Sequence, residues 1–72
     1  MRPSLTRREA QVLELLAAGY RQSEAARRLG VSPHTVSSHV KNVFRKFGVH
    51  STVAAVALAL ELRLIGRPSR ER

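Results

Sequence analysis

The chain has 72 residues and a formal charge of +8 at pH 7, from 13 Lys and Arg against 5 acids, all of them Glu; at this size it holds one small domain, and its charge asks for a polyanion, nucleic acid first and an acidic membrane surface second. The absence of Cys excludes disulfides, thiol nucleophiles and thiolate zinc sites, and the lack of Asp, Trp and any Gly-rich phosphate loop argues against an enzyme, so no cofactor is expected. The longest apolar run, Val53 to Leu60, is eight residues and too short to span a bilayer, while 43% hydrophobic content is too high for a disordered basic tail.

Met1 to Leu5 form a lead-in containing Pro3, without the long apolar stretch of a secretory signal. Thr6-Arg7-Arg8-Glu9 then fits a capping box, the Thr hydroxyl accepting from the third helical N–H while Glu9 reaches back to the cap. Arg7 and Arg8 sit badly at the positive end of a helix, so something other than helix stability keeps them there. The helix runs through Val12, Leu13, Leu15, Leu16 and Ala17 and stops at Gly19. A second helix covers Gln22 to Leu29, with Ala25, Ala26 and Leu29 inward and Gly30 ending it.

Ser32-Pro33 starts a third helix, Ser as cap and Pro in the first turn, where a missing N–H costs nothing. Its apolar residues Val36, Val40, Val43, Phe44 and Phe47 fall within an arc roughly 100° wide. The opposite face holds His34, Ser38, Lys41, Asn42 and Arg45 and no apolar residue. Gly48 ends this helix, and Ser51 can cap a fourth from Thr52 to Ile65. The fourth helix carries two apolar stripes: Val53, Val56, Ala57, Leu60 and Leu64 on one side, and Ala54, Ala55, Leu58, Leu62 and Ile65 on the other. So small a domain cannot bury both, so one stripe should face the core and the other a partner. The expectation is an all-α domain over residues 1–65, followed by a disordered basic tail over 66–72.

Residues Gln22 to Phe47 have the layout of a helix-turn-helix: a small residue at the helix crossing (Ala26), a turn residue tolerating positive φ (Gly30) and a β-branched anchor in the second helix (Val36). Together with Leu5-Thr6-x-Arg8-Glu9, Val12-Leu13, Ala18-Gly19, Glu24-x-Ala26, Leu29-Gly30-Val31-Ser32, Thr35-Val36-x-x-His39 and Lys46-Phe47-Gly48-Val49, this strongly resembles the LuxR/NarL/GerE-type DNA-binding domain over Leu5 to Ile65. The resemblance implies a four-helix domain of a bacterial transcriptional regulator, a third helix that enters the DNA major groove, and a fourth helix that often makes a two-fold dimer. The family usually has Ser or Thr at Arg21, Ile or Val at Ala25, Lys at Ser37 and Arg at Thr52; Ser37 therefore forbids transferring a base preference from relatives with Lys there.

On this footing the expected DNA contacts are His34, Thr35, Ser37, Ser38, Lys41, Asn42, Arg45 and Lys46. Lys41 aligns with a base- or phosphate-contacting position, Ser37 and Ser38 with groove-facing ones, and Arg45 and Lys46 are placed to grip phosphates. Thr35 could donate to a phosphate or pack beside the turn. One of Arg27 and Arg28 is expected toward the DNA backbone and the other toward solvent; Tyr20 is expected to pack on the domain from a loop. His34 and His39 are five apart, about 140° around a helix, where a metal site prefers four. The dimer stripe is expected to be Ala54, Ala55, Leu58, Leu62 and Ile65. Double-stranded DNA and a second copy are the expected partners, with RNA polymerase as a further candidate and no membrane, in a bacterial cytoplasm at the nucleoid. Two alternatives stand beside this reading: a sigma-factor-like promoter module, and a protein-interaction adaptor using the apolar face of the last helix.

Overall fold

The computed structural model describes residues 3–66; most of the expected basic tail lies outside the described residues. Among the described residues four helices follow in chain order: α1 (Arg7–Ala17), α2 (Gln22–Leu29), α3 (Pro33–Phe47) and α4 (Thr52–Glu61). The local signals behind them are realised in hydrogen bonds. Thr6 Oγ1 accepts from the Glu9 N–H at 3.1 Å while Glu9 Oε1 accepts from the Thr6 N–H at 3.0 Å. Ser32 Oγ accepts from the Thr35 N–H at 3.1 Å, with Pro33 opening α3. At Arg21 half a capping box survives: its N–H donates to Glu24 Oε1 at 2.7 Å, but a guanidinium has no acceptor to return.

The helices are arranged around a central pair. α1 and α3 each touch every other helix, whereas α2 and α4 do not touch each other. Two core clusters result. Under α2, Val12, Ala25, Ala26, Val36 and Val40 are buried together. Under α4, the buried set is Leu13, Val43, Ala55, Ala59 and Ile65. Leu16 and Phe44, partly buried, pack against both. Ala25 and Ala26, at most 1% exposed, present almost no side chain, which is what lets α2 sit close on α3. Among the described residues no single helix is long and apolar enough to cross a membrane.

The end of α4 departs from expectation. The helix stops at Glu61 rather than Ile65. The Leu64 N–H donates to the Ala59 carbonyl at 2.8 Å and the Arg63 N–H to the Leu60 carbonyl at 3.1 Å. This is the paired closure that Gly30 makes after α2, where Val31 reaches Ala26 and Gly30 reaches Arg27. Here the left-handed position is filled by Arg63, at φ +60. The turn reverses the chain and drops Ile65, 6% exposed, into the second cluster. Two residues expected at a dimer interface, Ala55 and Ile65, are therefore core residues of the single chain. Neither predicted stripe is the inner face. Ala55 and Ala59 lead it, with Val56 and Leu60 packed beside them. Val53, at 80% exposed, and Ala57 face outward, and Ala54, Leu58 and Leu62 are half-buried.

Candidate nucleic-acid interface

The outward face of α3 is built by its inward one. Val36, Val40 and Val43, each no more than 3% exposed, lock the helix in rotation against α1, α2 and α4. That rotation leaves His34, Ser38, Lys41 and Arg45 exposed and Ser37 and Asn42 half-buried. α3 contains no acid, so this surface carries cations, hydroxyls and one carboxamide. Arg45 Nη1 donates to Asn42 Oδ1 at 3.2 Å, which holds the two side chains together along the face. Thr35 is half-buried, and its hydroxyl lies 3.0 Å from Ser32 Oγ, where it reinforces the start of the helix.

Lys46, also expected to grip phosphate, is exposed and is held by partners within the fold. Its Nζ donates to Glu9 Oε1 at 2.6 Å and to the Ser4 carbonyl at 3.3 Å. Glu9 is 3% exposed, so the ammonium is the counter-charge of a buried carboxylate. Burial pushes the Glu9 pKa up, but the Lys46 hydrogen bond, the Thr6 N–H, the Lys46 charge and the Thr6 hydroxyl together hold it below the ordinary carboxylate value. The pair fastens the last turn of α3 to the first turn of α1. The signals along the chain give Glu9 only its capping duty, and no local pattern joins residues 37 apart.

On α2, Arg27 and Arg28 are both exposed. The Arg28 guanidinium lies 4.2 Å from the centre of the Tyr20 ring, and these residues with Glu24 line a shallow cleft. Tyr20 thus packs from its loop onto an arginine. The face of α2 that points away from the core is cationic as well.

The chain matches the model of the family described as bacterial regulatory proteins, luxR family, over residues 3–59. It is 45% identical over 58 residues to the nitrate/nitrite response regulator protein homolog of Haemophilus influenzae, covering 81% of this chain and 28% of that protein. With the nitrate/nitrite response regulator protein NarP of Escherichia coli it shares 44% identity over 59 residues, 82% of this chain and 27% of the relative. Among solved structures it is similar to the transcription factor GerE, with a TM-score of 0.84 at 31% identity, covering 90% of this chain and 97% of GerE. It is also similar to Vibrio cholera VqmA in a complex with ligand and DNA, with a TM-score of 0.76 at 35% identity, over 86% of this chain and 27% of that one. The chain thus spans 28% or less of the length of the two response regulators.

Proposed function

The chain belongs to the luxR family of bacterial regulatory proteins, as a helix-turn-helix DNA-binding domain, and from that premise we propose that α3 reads base edges in the major groove of duplex DNA while the arginines around it neutralise phosphates. The observation that carries this reading is the outward face of α3, which combines exposed Lys41 and Arg45 with small hydroxyl residues and no acid. Cations supply most of the affinity by displacing counterions; Lys41, Asn42 and the serines, being short or donor-bearing, supply the discrimination. That VqmA was solved with DNA supports DNA as the ligand class. A module of this size covers a short half-site. Pairing of two copies along the half-buried Ala54, Leu58 and Leu62 of α4 would set two recognition helices about one turn of DNA apart on an inverted repeat.

Selection from a random duplex library, followed by sequencing, tests this reading. An enriched inverted repeat is expected, and Lys41→Ala should relax preference at one base pair per half-site, by about 1–3 kcal/mol of discrimination. A single enriched half-site would remove the dimer and keep the reader. Absence of enrichment, with binding that only tracks salt, would overturn sequence-specific recognition and favour the adaptor.

A further inference from the structure

We infer that Arg7 and Arg8, on the first turn of α1, grip the phosphate backbone beyond the edge of the groove that α3 enters, so that the DNA-contacting surface extends outside the helix-turn-helix. The inference rests on the DNA-binding reading above.

Both arginines are exposed, at a helix end where a cation is electrostatically unfavourable. The one acid in their turn gives them no cover, because Glu9 is buried and its charge is taken up by Lys46 at 2.6 Å. The same Lys46 also binds the Ser4 carbonyl. These two bonds press the start of α1 onto the end of α3, the turn that carries exposed Arg45. Among the described residues the exposed acids are Glu14, two turns further along α1, Glu24 on α2 and Glu61 at the end of α4. Arg7, Arg8 and Arg45 therefore share one end of the molecule without an exposed carboxylate in the turns that carry them.

The dimensions indicate what that end meets. α3 has 15 residues, about 22 Å at roughly 1.5 Å per residue, and a recognition helix meets base edges chiefly with its N-terminal residues. A helix that enters by its first turns, with His34, Ser38 and Lys41 toward the bases, carries its last turn past the groove and over a sugar-phosphate strand. The first turn of α1 is fastened to that last turn and goes with it. Two guanidinium forks at this place match phosphate oxygens in geometry and charge.

The test is the salt dependence of duplex binding by the full chain, from about 50 to 200 mM salt, for wild type, Arg7→Ala/Arg8→Ala, Arg7→Lys/Arg8→Lys and the control Arg63→Gly. The double alanine variant should lower the log–log slope by about 0.9 for each phosphate no longer neutralised. It should weaken binding to selected and scrambled duplexes alike, while the lysine pair keeps most of the slope. Methylphosphonate substitution of phosphates flanking the half-site should reproduce the loss in wild type and add nothing in the alanine variant. A slope change no greater per charge than that of Arg63→Gly, or loss of helical circular dichroism in the alanine variant, would overturn the inference and leave the DNA-binding reading standing. A wild-type chain that binds no duplex would overturn both.

Discussion

Lys46 has a partner within the fold that its place in the chain does not announce. Its partner Glu9 is almost fully buried while Lys46 itself is about a third exposed, and the consequences of losing each are unequal. Lys46→Met strands a buried carboxylate and should destabilise the domain by about 2 kcal/mol; Glu9→Gln leaves an ammonium that can turn to water and should cost less. Urea unfolding of both variants and of the double variant would measure the difference and the coupling. The pair also sets an acid response. Because the folded-state pKa of Glu9 lies below its unfolded value, its stabilisation is present above the ordinary carboxylate range and is lost as pH falls through it. Wild type should lose more Tm between about pH 5 and 3 than Glu9→Gln does. The capping half of Glu9 was legible because Thr6 stands three residues away. The ion-pair half was not, because only the packed fold brings α1 and α3 together.

At the scale of the element, α3 was readable to the residue and α4 was not, for one physical reason. Ser32, Pro33 and Gly48 are punctuation that a chain can use only in one way, and the polar and apolar faces of α3 are cleanly separated. α4 is apolar around most of its circumference, so periodicity cannot say which side is inward. Its end is marked by an arginine in a conformation that usually announces itself by glycine. Arg63 at φ +60 carries a cost of about 1–2 kcal/mol that glycine avoids. Arg63→Gly should therefore stabilise the domain by about 0.5–1 kcal/mol once the greater freedom of unfolded glycine is counted, a gain visible as a raised denaturation midpoint. The inner face gives a sharper contrast. Ala59→Leu, at a site with 0% exposure, should cost about 1–3 kcal/mol by overpacking, whereas Ala57→Leu on the outer face should be nearly neutral in stability. Equal effects would show that α4 is rotated. Ile65 also matters for where the domain stops, since the family match ends at residue 59 and the core does not.

Across the whole molecule, the sequence revealed the parts list and the polar face but not the division of the interior. Two clusters, one beneath α2 and one beneath α4, hang on the α1–α3 pair, and their helices never meet. No pattern along the chain shows that Val12 and Leu13, adjacent in α1, belong to different clusters. In amide hydrogen exchange this division predicts two sets of protected N–H groups that open with separate free energies. Ala59→Leu should speed exchange in α4 and leave α2 near its wild-type protection, while Phe44→Leu should loosen both sets, since Phe44 packs against each cluster. The half built around α2 and the half built around α4 can thus drift apart in sequence with little mutual interference. Leu16 and Phe44 are the narrow bridge across which a change in one half can be felt by the other, and substitutions there should be the ones that weaken the proposed pairing along α4 and the proposed readout by α3 together.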